Sequence, residues 1–273
     1  HLSPLDRVAS AAIARDVFGA DRVAADLVSR LHDRTGGNPF FLEEVCEALR
    51  EEGVITLRDG EAAIADAAGA VHVPETVQGV LRTRIDRLDG EARDALRVAS
   101  VIGREFSRGV LEDVLESTGD LTRALERLKG SGLVQQTSVV PEPAYRFKHA
   151  LTEEVAYDSL LEHQRMALHA TVGRAIERRY ATQLDKHIDR LAHHFSRAEV
   201  WGEAVRYALQ SADRAAALSQ NTEALATLER AEQWVQRLPE DAAARDLRAD
   251  VLLRQERVLV QVGQHIPRLL AVV

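Results

Sequence analysis

At 273 residues and 45% hydrophobic, with aromatics at only 4%, the chain can bury a core large enough for two or three domains. Its formal net charge of −8 argues against a generally basic nucleic-acid surface. Cys46 is the only cysteine, which excludes an internal disulfide and makes a reducing, cytoplasmic compartment the default. No apolar run approaches the ~20 residues that a membrane helix needs, and no signal-peptide pattern is present. The apolar content is mostly Ala, Leu and Val, which favours closely packed helices over an aromatic-rich sandwich. The chain opens on His1 without an initiator Met and reads as a piece of something larger.

After the short entry Leu2-Ser3-Pro4-Leu5, helical spacing predicts one helix through Val8, Ala12 and Val17 and a second through Val23, Leu27 and Leu31. Gly19 is the expected stop between them and Asp21 the expected N-cap. The second helix runs into Gly36-Gly37-Asn38-Pro39, where two glycines permit a sharp turn and Pro39 suits the first turn of the next helix. Leu42, Val45, Cys46 and Leu49 are that helix's expected apolar face, and Gly53 ends it. Cys46 shares that face and reads as a core residue, not a nucleophile.

Residues 54–57 predict a short strand turning at Arg58-Asp59-Gly60, and the Ala-rich span 61–72 reads as loop. Val73-Pro74-Glu75-Thr76 then starts a helix carrying Val77, Val80, Leu81, Ile85 and Leu88. Three more helices follow, through Ala92, Leu96 and Ala99, through Val110, Leu111, Val114 and Leu115, and through Leu121, Leu125 and Leu128. Two extended pieces, 133–137 and 145–149, complete a winged helix-turn-helix pattern. Its third helix offers Arg123, Arg127 and Lys129 against Asp120 and Glu126, with no amide or aromatic cluster for base edges. DNA recognition by this module is therefore not expected, and protein packing is.

At His149 the pattern changes from period two, with Tyr145 and Phe147 alternating against Arg146 and Lys148, to the helical spacing of Leu151 and Val155. Beyond Leu161 the chain reads as helix alone. One stripe holds Leu168, Val172, Ala175 and Ile176, a second Ala204, Ala208, Ser211, Ala215 and Leu218, and a third Leu225, Leu228 and Val235. Ala224 with Ala231 is a small pair of the kind that lets helices cross closely. A regular tetratricopeptide would recur at about 34 residues, and these stripes recur sooner, so an irregular helical array is expected. Such an array leaves a concave face for a protein partner or signal. His187, His193 and His194 cluster in one helix without a cysteine or other metal pattern and read as packing or surface residues.

Two stretches carry a family resemblance. Gly37-Asn38-Pro39 followed by Phe40-Phe41-Leu42-Glu43-Glu44 resembles the GxP motif in the helical lid of STAND-type signalling ATPases. Phe147-Lys148-His149-Ala150-Leu151, with Glu154-Val155-Ala156-Tyr157-Asp158-Ser159-Leu160-Leu161, resembles the end of their winged-helix domain. The superfamily includes bacterial LuxR-like and cyclase-associated regulators and, more distantly, the plant immune receptors. The resemblance implies a mainly α architecture in three parts: a helical lid at 1–72, a winged helix with a small β-wing at 73–150, and a tetratricopeptide-like arm at 151–273. It implies ATP or ADP in the full-length parent, with Gly37, Asn38 and Pro39 on the adenine side and His149 reading the phosphates. The plant-type motif follows its histidine with Asp, where this chain has Ala150.

No G-x-x-x-x-G-K-[ST] and no strand ending in an acidic pair occurs, so the chain itself is not expected to be an enzyme. Its implied partner is an upstream NTPase core. The rival readings are a winged-helix transcription regulator with a helical sensor and a purely structural helical-repeat scaffold.

Overall fold

The computed structural model of the protein describes residues 4–65, 74–115 and 120–261. It is mainly helical, with two three-stranded sheets among the described residues. No described helix is long and apolar enough to cross a membrane. The chain forms two packed units, one drawn from 1–96, 119–135 and 146–158 and the other from 97–118, 136–145 and 159–273.

The first unit opens with α1 (Arg7–Phe18), whose N-cap Asp6 accepts a 2.8 Å hydrogen bond from the Ala9 amide. Gly19 closes it in the left-handed conformation, as expected. The buried stripe is Ser10, Ala14 and Phe18, and not the expected one, since Val8 is 80% exposed. Ser10 tolerates this position because its hydroxyl donates to Asp6 O at 2.8 Å and lies 3.0 Å from His32 Nδ1.

Val23 belongs to a strand, β1 (Arg22–Val23), and not to the second helix. β1 pairs in parallel with β3 (Glu61–Ile64), Arg22 opposite Glu61 and Val23 opposite Ala62, and β3 pairs antiparallel with β2 (Ile55–Arg58). Residues 61–64, read from sequence as loop, are therefore the central strand of this sheet. Ala65 closes the sheet end by donating its amide to Val54 O at 2.7 Å, and 66–72 and Val73 lie outside the described residues. Asp21 does not cap a helix; its amide donates to Gly60 O at 2.9 Å, while α2 (Ala25–Thr35) starts after Ala24 with no side-chain cap. The β2–β3 turn places Asp59 and Gly60 at φ 48° and 73°, as a tight hairpin requires.

α3 (Pro39–Glu51) buries Leu42, Val45, Cys46 and Leu49, the face its spacing predicts. Burial pushes the Cys46 thiol up to about 12, with Glu47 and Glu43 adding to the shift, so it stays protonated and unreactive. α4 (Val77–Asp86) is capped by Thr76, which accepts from the Gly79 amide at 3.1 Å. α5 (Gly90–Ile102), β4 (Glu105–Ser107), α6 (Arg108–Leu115), α7 (Leu121–Gly130), β5 (Val134–Ser138) and β6 (Ala144–Phe147) follow. The second sheet has the order β4-β6-β5, so β4 is a third strand that the sequence reading missed. β6 stops at Phe147, and α8 (Ala150–Asp158) begins directly after His149.

In the second unit Arg179 grips Asp113 of α6 through two bonds of 2.7 and 3.0 Å and reaches Glu142, which also accepts from Tyr180 Oη at 3.0 Å. α9 (Glu162–Arg179), α10 (Ile188–Arg197), α11 (Trp201–Ala217), α12 (Asn221–Val235) and α13 (Ala242–Gln261) follow in order. Ala204, Ala208 and Ala215 of α11 and Ala224 and Ala231 of α12 are buried at the crossings, where a larger side chain would hold the helices apart. Leu218, expected on the α11 stripe, lies past the helix end and is 65% exposed.

Candidate functional site

The turn before α3 is shaped by its own residues. Gly36 and Gly37 both take positive φ, 58° and 71°, and Gly37 O accepts the Leu5 amide at 2.8 Å. A Cβ on Gly37 would stand 2.4 Å from Leu5 O, whereas one on Gly36 meets nothing within 4 Å. Gly37→Ala is therefore expected to cost at least about 2 kcal/mol, strain plus displacement of residue 5, and Gly36→Ala only about 1 kcal/mol. Urea denaturation of both variants checks this, and equal costs would contradict it.

Asn38 is the N-cap of α3, its side chain accepting from the Phe41 amide at 3.2 Å. Pro39 occupies the first helical position with its ring exposed. One residue on, the Phe40 ring lies against the His149 imidazole, centroids 4.1 Å apart and planes inclined by 41°. Two motifs more than a hundred residues apart in sequence thus meet within one unit.

The joint that presents His149 is held by backbone bonds, Lys148 N–H to Leu133 O at 3.1 Å and Thr152 N–H to His149 O at 3.1 Å. Glu43, one turn after Phe40, pairs with Lys148 Nζ through Oε1, and its Oε2 stands 3.8 Å from His149 Nε2. That nitrogen is shielded from solvent and makes no hydrogen bond. Burial lowers the His149 pKa; Glu43 opposes the shift, while Lys148 and Arg84 add to it. The imidazole is accordingly neutral at pH 7.

Behind this edge lies an ion cluster that sequence reasoning did not find. Arg84 of α4, its side chain 1% exposed, donates to Glu44, to both oxygens of Glu51 at 3.2 and 2.8 Å, and to the Ser131 carbonyl. Burial pushes the Glu44 carboxyl up, and Arg84 opposes it. The available signal was positional, since residue 84 falls on the apolar stripe between Val80, Leu81 and Leu88, where an arginine needs carboxylates.

The third helix, not expected to read DNA, has part of its charge engaged locally. Asp120 caps α7 through the Arg123 amide at 3.1 Å, and Lys129 donates to Glu126 at 2.9 Å. In the second unit His194, read from sequence as packing or surface, is buried with Nδ1 2.9 Å from Nδ1 of His169. Among the described residues no group of three or more His, Cys, Asp or Glu side chains is placed to hold a metal.

Residues 7–63 match the family model described as "Domain of unknown function (DUF8739)". A curated relative, "Uncharacterized protein R02095" of Rhizobium meliloti (strain 1021), is 26% identical over 237 residues. That match covers 86% of this chain but 22% of the relative, so the chain spans less than a quarter of that protein's length. A solved structure of a Signal Transduction ATPase with Numerous Domains protein with a tetratricopeptide repeat sensor, from Pyrococcus horikoshii, aligns with TM-score 0.40 and 11% identity. It covers 96% of this chain and 48% of its own, and at that level it fixes neither family nor activity.

The residues present fit a nucleotide unevenly. The exposed Pro39 residue, at the first position of α3, presents a rigid apolar ring that suits the face of a base. His149 Nε2 faces Glu43 behind shielded surface, so a phosphate reaches it only if that carboxylate withdraws.

Proposed function

We propose that this chain is the regulatory segment of a nucleotide-switched signalling ATPase, supplying the adenine-side lid, a winged helix used for protein packing and the start of a tetratricopeptide-like arm. The observation that carries the reading is the meeting of the Gly37-Asn38-Pro39 turn with His149, through the Phe40 ring. Either motif alone has a structural explanation, as a helix corner or a strand end. Their convergence puts the turn that would face the base and the joint histidine together in one unit. α4 to α7 with the β4-β6-β5 sheet suit the winged-helix part, and the alanine crossings of α11 and α12 suit the arm.

In this reading the phosphate cradle and metal site belong to an upstream core, and this segment does not hydrolyse ATP. ATP or ADP would supply the difference in charge at the phosphate end that separates the open and closed forms. Pro39 would orient the base and His149 would hold the phosphate end in the closed form. On α7, Lys129 is paired with Glu126 and Asp120 is taken up as the N-cap, and the helix carries no amide or aromatic cluster for base edges, which supports packing over DNA reading.

The test is nucleotide affinity in the full-length protein, with sizing alongside. Pro39→Ala is expected to weaken ADP and ATP alike by about tenfold, since both carry the same base. His149→Ala is expected to weaken ADP by about tenfold, ATP less, and to release a larger assembly without signal. Unchanged affinities in both variants would leave the turn and the joint as purely structural features and overturn the reading.

A further inference from the structure

The carboxylate of Glu43 sits where a cationic and a polar nitrogen converge. Lys148 Nζ takes one oxygen, and His149 Nε2 points at the other from 3.8 Å, beyond hydrogen-bonding distance. The other acidic side chains of α3 have their own cations: Glu44 and Glu51 share Arg84, and Glu47 has Arg50. Glu43 alone among these four turns to the joint. A single carboxylate satisfies the lysine and leaves the ring nitrogen buried and short of a partner. A phosphate group, with three terminal oxygens spread in a cone, can accept from both at once.

We propose that Lys148 and His149 form a polyphosphate-end site that Glu43 fills with its own carboxylate, so that the incoming anion must displace Glu43. The assignment of the ligand rests on the nucleotide reading above; the masking of the site rests on the geometry of Glu43. Lys148 supplies a fixed positive charge, and His149 would donate from Nε2 in the tautomer that carries its proton there. Phe40 holds the ring by its face and keeps Nε2 in register with Glu43. The Lys148, Glu43 and His149 side chains are 36%, 27% and 28% exposed, so solvent and a small anion reach the edge of the cluster. Glu43 would thus act as a built-in competitor that holds α3 against the β6–α8 joint until a ligand with more charge and more acceptors replaces it.

The experiment is titration of this chain with inorganic pyrophosphate, and in a second arm with ADP, by calorimetry. Glu43→Gln removes the competing charge while keeping the side chain's shape, and should bind pyrophosphate about tenfold more tightly than the unaltered chain. Lys148→Met in the Glu43→Gln background should abolish that gain. Equal affinity of Glu43→Gln and the unaltered chain, or a gain that survives Lys148→Met, would overturn the proposal. A second readout needs no change at Glu43: pyrophosphate should shift the 15N resonance of His149 Nε2, and a saturating titration that leaves it unmoved also overturns the site. ADP binding tighter than pyrophosphate identifies a nucleotide, and equal binding identifies a free polyphosphate. If pyrophosphate behaves as expected while Pro39→Ala leaves full-length ADP affinity intact, the anion site stands and the nucleotide reading falls. If Pro39→Ala behaves as expected while Glu43→Gln changes nothing, the reverse holds.

Discussion

Arg84→Met is expected to destabilise the first unit by about 3–5 kcal/mol, far more than the loss of a surface ion pair. The reason lies in what the substitution leaves behind. Glu44, its side chain 3% exposed, loses the guanidinium that compensates its burial, and the Ser131 carbonyl loses its donor. Glu51 is 24% exposed and recovers part of its solvation from water. The double variant Arg84→Met/Glu44→Leu removes both buried charges together and should regain most of the loss, because an apolar pair of similar volume needs no desolvation. Urea denaturation of the three proteins decides the matter. A single variant within about 1 kcal/mol of the parent would place this cluster with exposed ion pairs.

Acidification is expected to loosen the second unit before it reaches the carboxylates. His169 and His194 are each 2% exposed, and burial holds both well below the ordinary histidine range, to about 4 and about 2. His193 and Arg197 add to the shift of His169, and the neighbouring His169, His193 and Arg190 to that of His194. The native pair shares one hydrogen bond between neutral rings, whereas in the unfolded chain both take protons near pH 6.5. Their stabilisation is therefore complete above about pH 6.5 and falls below it, by about 1.4 kcal/mol per pH unit for each ring, until the native pair titrates. Thermal melts at pH 8, 6.5 and 5 should show a steep fall below 6.5 for the parent. His169→Gln/His194→Gln should show a shallower one. Parallel curves would show that other groups set the acid response.

The motifs were legible from sequence because they are local. Gly36-Gly37-Asn38-Pro39 specifies its own turn, two positive-φ residues, an N-cap and a proline at the first helical position, within one short segment. The apolar face of α3 follows from spacing alone, and Leu42, Val45, Cys46 and Leu49 are all buried. The change of period at His149 likewise marked the place where β6 gives way to α8. The chemistry around these motifs was less legible. Glu43 reads in sequence as one of several acids on a helix, and nothing in its neighbours says that its partners are Lys148 and His149, 105 residues on to the first of them.

What the sequence by itself determined are interactions that close within about one helical turn: the caps at Asp6, Asn38, Thr76 and Asp120, the positive-φ glycines and the 3.6-residue periodicity of the helices. What only the tertiary structure decided are the pairings whose worth depends on a distant partner. Val23 became a strand because β3 lay beside it, offering backbone donors and acceptors that a helical pattern cannot reveal. Arg84 could enter the core only where Glu44, Glu51 and a carbonyl had been gathered. His169 and His194 are buried where folding brings their Nδ1 atoms within 2.9 Å of each other. Local geometry is encoded by neighbours along the chain, whereas the burial of a charge, a ring nitrogen or a strand edge is permitted or forbidden by groups that folding brings to it.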